Sequence, residues 1–344
     1  MRPYFLILCS WLCFGCTHHA ERPDTSGIHI TVNTMRYERD LFSIDTNHFA
    51  EGMDRLARAY PGFHEDFLYR IMNADPKWDE NQLANYMSGF VKSYRAIYDS
   101  AERVFPDFSS YEREIVDVMK LSKYYFPAYK IPEKIITYIG PLDGYGDILS
   151  DQAVLVGLHH HLGKQFSAYS SEWLGQTYPA YITERFEPEY IAVNFAGNII
   201  NDLFPEGNNN NPDESIAGTT LIVKMIESGK RIYLKSRLLP DKKEYLLIGY
   251  SESQLSDCYK HEKSIWDLFL KNNLLQTTDI GLIRNYIGES PKTQELGESA
   301  PGNIGSFAGW QIVKKFMEKN PEISLEQLMK KKAEEIFEST KYKP

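Results

Sequence analysis

Three consecutive histidines, His159, His160 and His161, are the densest group of metal-ligating side chains in the sequence. They follow a β-branched run, so the simplest expectation is that they extend a strand. Side chains of consecutive strand residues point to opposite faces, so only His159 and His161 could ligate the same ion. A third ligand, such as Asp151 or Glu187, would have to be supplied by the fold. We therefore expect histidines of the surface or core edge and no metal; if a metal does bind, His159 and His161 hold it.

Zinc hydrolases of the His-Glu-x-x-His type need two histidines one helical turn apart and a general-base glutamate. One His-Glu pair begins at His64, but Leu68 stands where the second histidine is required. The other begins at His261, and Ile265 occupies the equivalent position. A serine nucleophile elbow is also missing, because Ile304 stands where Gly-x-Ser-x-Gly needs its first glycine. Because both motifs are missing, the sequence predicts a protein that is not an enzyme.

The N-terminus offers a different chemistry, the lipidation of a cysteine. Arg2 precedes an apolar run over residues 4–12, and Gly15 stands directly before Cys16. This arrangement is typical of a bacterial signal peptide that ends in a lipobox, and the run is far shorter than the roughly 20 residues of a membrane-spanning helix. We expect residues 1–15 to be removed and the Cys16 thiol to carry diacylglycerol, which anchors the protein to a membrane. Cleavage as an ordinary signal peptide is the alternative.

Composition limits the partners of the anchored chain. The full sequence has 344 residues and a formal net charge of −9, with acidic and basic side chains mixed along its length. This charge argues against nucleic-acid binding and against a polybasic surface for lipid headgroups. Once Cys16 is lipidated and the signal peptide is removed, only Cys258 remains, so no internal disulfide is available. We expect this thiol to be buried.

The elements that position these side chains are predicted to be mostly helices. A polar segment over residues 16–27 indicates a tether, and residues 28–344 form a single globular domain. Alternation from residue 28 predicts one strand, and two β-branched runs over residues 134–140 and 153–158 predict neighbouring strands. Helical periodicity covers residues 48–72, 80–98, 109–126, 251–273, 304–319 and 324–338. The fold class is therefore α+β, helix-dominated with one small sheet.

Two further segments carry expectations about packing and exposure. A long helix is expected over residues 213–239 with Gly229 near its middle, which indicates close helix packing or a bend. Asp143, Asp147 and Asp151 lie among glycines, so a solvated turn is favoured over a shared helix face.

Ten segments together carry a family resemblance. They are residues 135–140, Val156-Gly-Leu-His-His-His-Leu-Gly163, residues 178–181 and 188–191, Met225-Ile-Glu-Ser-Gly-Lys-Arg-Ile-Tyr-Leu234, residues 239–241 and 248–255, Trp266, residues 273–275, and Pro301-Gly-Asn-Ile-Gly-Ser-Phe-Ala-Gly-Trp-Gln-Ile-Val313. In this order they resemble the gliding motility lipoprotein GldB family over about residues 28–330. The resemblance implies a periplasm-facing lipoprotein of the Bacteroidota that works with motility-machinery proteins and needs no cofactor. It also implies a distant similarity to zincin-like metalloproteases.

Two positions depart from the pattern of that family. Ser228 stands where a glutamate is usual before the Gly-Lys pair, and Glu227 lies about 100° around the helix from it. His159 stands where the family usually has aspartate. The resemblance therefore implies a degenerate zincin-like fold without hydrolase chemistry.

We accordingly expect a non-catalytic, membrane-anchored envelope lipoprotein that acts through protein–protein contacts. The candidate interaction surface consists of Tyr169, Trp173, Tyr178, Tyr181, Glu227 and Lys230. One alternative is a metal-dependent peptidase or amidase of the zincin type. The other is a glycan-binding surface lipoprotein that uses its aromatic side chains as stacking platforms.

Overall fold

The computed structural model describes residues 22–205, 218–297 and 300–344. The predicted signal peptide, Cys16 and residues 213–217 of the helix predicted over residues 213–239 lie outside the described residues. Residues 218–220 are described but are not helical, so the prediction is wrong there and the described helix begins at Leu221. Among those that are described, helices dominate and one small sheet is present, which confirms the predicted α+β class. No helix of this part is both long and apolar enough to cross a bilayer.

Most of the helices follow the predicted periodicity. The α-helices are Tyr37–Phe42, Phe49–Ala59, Phe63–Asp66, Glu80–Ser93, Arg95–Val104, Ser109–Tyr125, Glu172–Thr177, Ala180–Thr183, Ile191–Leu203, Leu221–Leu238, Glu244–Ile248, Glu252–Lys260, Glu262–Lys271, Ile280–Ile287, Ile304–Lys319, Leu325–Lys330 and Ala333–Thr340. A π-helical turn covers Phe67–Ile71, and 3-10 turns cover Thr46–His48, Leu158–His160, Ser167–Ser170, Pro188–Tyr190, Leu274–Gln276 and Gln294–Leu296.

Four strands, β1 (Asn33–Arg36), β2 (Lys134–Tyr138), β3 (Ile148–Leu149) and β4 (Ala153–Gly157), form the sheet in the order β1-β2-β4-β3. β1, β2 and β4 are parallel, and β3 is antiparallel to β4. The predicted pair of neighbouring strands is therefore confirmed as β2 and β4. Every residue of β4 is buried, as expected for a strand covered on both faces.

The strand predicted from residue 28 is shorter than its alternating pattern. β1 begins only at Asn33, whose N–H donates to the carbonyl of Glu133 immediately before β2. The chain then turns into the Tyr37–Phe42 helix. Alternation alone does not make a strand, because its backbone groups need a partner, and β2 supplies one only from Lys134 onward.

Part of the predicted tether lies on the domain. Arg22 forms ion pairs with Asp117 at 3.2 Å and with Asp241, and Thr25 is buried. Residues 22–27 of the predicted tether have neither helix nor strand and contact the folded surface through Arg22 and Thr25.

Two long helices cross closely through the C-terminal half. We call Leu221–Leu238 the central helix and Ile304–Lys319 the companion helix. A Cβ added at Gly229 would lie 2.3 Å from the carbonyl carbon of Gly309, and one added at Gly309 would lie 1.7 Å from the carbonyl oxygen of Met225. Only glycine permits this approach, so the close packing expected at Gly229 is confirmed.

Candidate functional site

The histidine cluster does not continue β4. Leu158–His160 forms a 3-10 turn, so the expectation of alternating strand faces is wrong. His159, His160 and His161 are all buried, and their rings bond to different parts of the chain. The turn, and not a pleated strand, decides where each ring points.

His159 and His161 use both ring nitrogens within the protein. His159 Nδ1 accepts from the Gly140 N–H at 3.1 Å, and Nε2 lies 3.0 Å from the Tyr145 carbonyl oxygen. His161 Nδ1 faces the Glu187 carbonyl oxygen at 3.0 Å, and Nε2 faces the Asp147 carboxylate at 2.9 Å. Because both partners of His161 are acceptors, both its nitrogens donate and the ring is an imidazolium. Neither ring keeps a lone pair for a metal.

Electrostatics support this protonation state. Burial by itself lowers the pKa of His161, but the charge and hydrogen bond of Asp147, together with the hydrogen bond to the Glu187 carbonyl, outweigh burial and raise this pKa above its ordinary value. Burial lowers the pKa of His160 to about 4 and that of His159 well below its usual range. The cluster is thus one charged ring held against a carboxylate and two neutral rings.

Asp147 is the carboxylate that anchors this cluster. Its side chain is 5% exposed and also accepts from the Gly157 N–H at 3.1 Å and from Asn194 Nδ2 at 2.9 Å. The solvated turn expected for the aspartate trio is therefore wrong for Asp147. The two predicted third ligands contribute no carboxylate here, because Asp151 is exposed and Glu187 reaches His161 only through its backbone.

Within residues 22–205, 218–297 and 300–344, no group of three or more histidine, cysteine, aspartate or glutamate side chains has the geometry to hold a metal ion.

The predicted aromatic surface is partly exposed and partly core. Trp173 is 47% exposed, whereas Tyr169 is 4% exposed and its hydroxyl donates to the His159 carbonyl. Tyr178 and Tyr181 are half-buried. The expectation that Tyr169 lies on a contact surface is therefore wrong, because its ring is needed to support the histidine turn.

Lys230 is buried as well. Its side chain is 1% exposed, and Nζ donates to Glu227 Oε1 at 2.7 Å and to the Lys331 carbonyl at 2.6 Å. Lys230 therefore ties the central helix to the C-terminal helices and does not lie on a contact surface. Glu227, whose side chain is 39% exposed, mainly serves as the partner of this lysine.

Another face of the central helix borders a cleft that was not predicted from the sequence. Ser228, Arg231 and Lys235 line it together with Arg185 and Glu289, and its volume is about 410 Å³. We call it the basic cleft. The signal was available in the sequence, because spacings of three and seven residues place Ser228, Arg231 and Lys235 on one helix face. Ser228 is the position where the family's glutamate is expected, so the cleft lies beside that position.

The charged groups of the basic cleft act on one another. Arg185 Nη1 donates to Glu289 Oε1 at 3.0 Å, and Lys235 Nζ donates to the Leu247 carbonyl at 3.3 Å. Burial, followed by the positive charge of Arg185, lowers the pKa of Lys235 to about 8. The cleft therefore holds the partly buried amine of Lys235, and an additional negative charge beside it would stabilise its protonated form.

Fold and site together define a helix-dominated α+β protein whose histidine cluster is an internal hydrogen-bond network. The sequence matches the gliding motility protein GldB family over residues 18–344. The chain belongs to this family, which confirms the resemblance and places the protein among lipoproteins of gliding motility that are associated with the cell envelope. Comparisons with curated proteins and with solved structures each give no match. The similarity to zincin-like enzymes therefore stays a prediction.

Proposed function

We propose that this protein is a lipid-anchored, periplasm-facing component of the envelope that acts through contacts with motility or other envelope proteins and not by catalysis. The observation that carries the proposal is the internal hydrogen bonding of His159 and His161. The ring nitrogens of His159 bond to Gly140 and Tyr145, and those of His161 bond to Glu187 and Asp147. The densest histidine group of the sequence therefore has a structural role.

Exposed aromatic side chains support a role in contacts. Trp173 is 47% exposed and Tyr145 is 62% exposed. The Tyr178 hydroxyl donates to the Gly144 carbonyl at 2.8 Å, which ties the helix that carries Trp173 to the loop that carries Tyr145. Large, rigid aromatic side chains on a supported surface are the residues that most often dominate protein interfaces.

The test is complementation of a gene deletion. The deletion strain should lose spreading, and a chain with both Trp173→Ala and Tyr145→Ala should fail to restore it although it folds and reaches the envelope. Tyr124→Ala is the matched control, because Tyr124 is also 47% exposed but belongs to the Ser109–Tyr125 helix. Full restoration of spreading and unchanged cross-linked partners for the double variant would overturn the proposed surface.

Metal analysis of the purified chain separates this proposal from the peptidase alternative. We expect less than stoichiometric zinc after dialysis, because a zinc ligand must offer a free lone pair. Stoichiometric zinc that is lost in a His159→Ala, His161→Ala variant would contradict the non-catalytic assignment.

A further inference from the structure

We propose that the basic cleft binds a small ligand that ends in a carboxylate, such as the free C-terminus of a peptide. The inference stands apart from the proposed function, since it concerns a cleft beside the central helix and not the surface around Trp173 or the lipid anchor. It rests on the charge balance of the cleft, on a lysine with a single hydrogen bond among the described residues, on an internal carboxylate, and on the size of the cleft.

The charge balance of the cleft is opposite to that of the chain. Among the described residues that line it, Arg185 and Lys235 face one carboxylate, Glu289, whereas the whole sequence has a formal charge of −9. Arg231 also lines the cleft, but its guanidinium donates to Asn201 Oδ1 and to the Phe204 carbonyl. A concave site with an excess of like charge concentrates its field on an oppositely charged ligand. The ligand is therefore anionic.

In the part of the chain that the structure describes, Lys235 has fewer hydrogen-bond partners than its ammonium group can take. Among the described residues it makes a single hydrogen bond, to the Leu247 carbonyl at 3.3 Å, although an ammonium carries three donors. The positive charges of Arg185 and Arg231 act against its protonation, and the negative charge of Glu289 favours it. An anion placed beside Nζ would satisfy free donors and offset this repulsion.

Arg185 already shows which anion fits. Its guanidinium holds the carboxylate of Glu289 at 3.0 Å, in a pair whose side chains are 26% and 56% exposed. Glu289 follows the Ile280–Ile287 helix, and its exposed side chain can leave without a burial cost. A ligand carboxylate would take its place on Arg185 and reach Lys235 as well, so Glu289 acts as an internal competitor. The fork of an arginine suits a planar carboxylate.

Gly249 keeps Arg185 in position. It ends the Glu244–Ile248 helix with φ +79°, and a Cβ added there would lie 2.9 Å from Arg185 Nη1. The backbone thus forms a floor under the guanidinium, which limits the directions in which its donors can point.

The remaining walls are mixed, and more of their exposed surface is polar than apolar. Their apolar part is formed by Ile182, Phe186, Val193, Ile232, Leu246 and Ile248, and their polar part by Tyr190, Asn194, Ser228 and Asn303. A volume of about 410 Å³ lies in the range of small-molecule and short-peptide sites. The cleft therefore accommodates a short ligand that makes both apolar and polar contacts behind its terminal carboxylate.

Calorimetry on the purified lipid-free chain tests this inference with defined probes. The probes are an N-acetylated apolar tripeptide with a free C-terminus, the same tripeptide as its C-terminal amide, hexanoate, and inorganic phosphate at equal ionic strength. We expect the free acid to bind about ten-fold more tightly than the amide, which corresponds to one lost charge-assisted contact. Hexanoate binding as tightly as the tripeptide acid would identify a fatty-acid carboxylate as the source.

Two variants move the affinity in opposite directions. Lys235→Met should weaken binding of the free acid about ten-fold, whereas Glu289→Gln should tighten it because the internal competitor is removed. Lys271→Met is the control, since its side chain is 76% exposed and pairs with Asp267 outside the cleft. Thermal unfolding of each variant shows that it is folded.

Equal binding of acid and amide, tighter binding of phosphate than of the acid, or no gain in affinity for Glu289→Gln would each overturn the inference. These results leave the complementation test untouched, because that test varies Trp173 and Tyr145. A failed complementation prediction likewise leaves the calorimetric result standing.

Discussion

At the scale of single residues, His161 and Asp147 form an ion pair that is almost wholly withdrawn from water. Their side chains are 1% and 5% exposed, and each has additional hydrogen bonds that hold it in place. Removing one partner of such a pair lowers the free energy of unfolding by more than the intact pair adds to it, because the other charge stays buried and unpaired. The sequence indicated histidines at the core edge, but it did not show that Asp147 would join them.

Asp147→Ala should therefore lower the free energy of unfolding by about 3 kcal/mol at pH 6. Asp143→Ala, in the same loop but exposed, is the matched control and should have little effect. Urea unfolding of both variants measures the difference. The pKa of His161 is higher in the folded chain than in the unfolded chain. The pair therefore contributes fully to the free energy of unfolding below the pKa of the unfolded chain, and this contribution declines as pH rises through the pKa of the folded chain. Equal losses for the two variants would show that the pair is not structural.

At the scale of elements, the crossing of the central and companion helices depends on two glycines. Gly309→Ala should destabilise the protein by about 3 kcal/mol or more, because its Cβ would lie 1.7 Å from the Met225 carbonyl oxygen and the helices would have to separate. Gly89→Ala is the control, in a helix where a new Cβ meets nothing within 4 Å. It should stabilise by about 0.5–1 kcal/mol. Denaturant unfolding measures both, and similar effects would refute the close crossing.

Element boundaries show what periodicity could and could not predict. The helix over residues 304–319 is confirmed at both ends. The pattern over residues 251–273 is interrupted, because the chain breaks at His261 into two helices, and the Ile280–Ile287 helix was not predicted. A helix pair with a sharp joint keeps the same apolar spacing on each side, so the pattern does not reveal the joint.

At the scale of the whole molecule, buried neutral histidines predict sensitivity to acid. Burial lowers the pKa of His64 and His160 to about 4 each, and that of His159 well below its usual range. The unfolded chain therefore binds more protons than the folded one between about pH 6.5 and pH 4, so stability falls as pH falls through this window. For His160 alone the loss is about 3 kcal/mol by pH 4.

His160→Gln tests this prediction, because an amide can still donate to the Leu142 carbonyl but does not titrate in this range. The variant should lose less stability than the parent chain between pH 7 and pH 4.5 in urea unfolding. His48→Gln, at a position 63% exposed, should follow the parent chain. Parallel curves for all three proteins would show that His160 does not titrate on unfolding.

Anchoring also belongs to this scale. Cys16→Ala should abolish palmitate labelling and release the protein from the membrane fraction, because diacylglycerol at this thiol is the predicted anchor. Cys9→Ala, within the predicted signal peptide, should keep both label and location. Unchanged labelling of the Cys16→Ala chain would refute the lipoprotein assignment of this cysteine.

The sequence alone determined the features that depend on local order along the chain. Residue order specified the predicted lipobox, the helix periodicities, the two central strands and the family pattern, and the burial of Cys258 was correctly expected from its isolation. Tertiary structure decided which groups meet across distance. It placed His159 in a 3-10 turn instead of a strand and brought Asp147 next to His161. It also buried Lys230 against the backbone of Lys331 and formed the basic cleft. These outcomes depend on the packing of elements that are far apart in sequence, and local sequence patterns do not show which distant elements pack together.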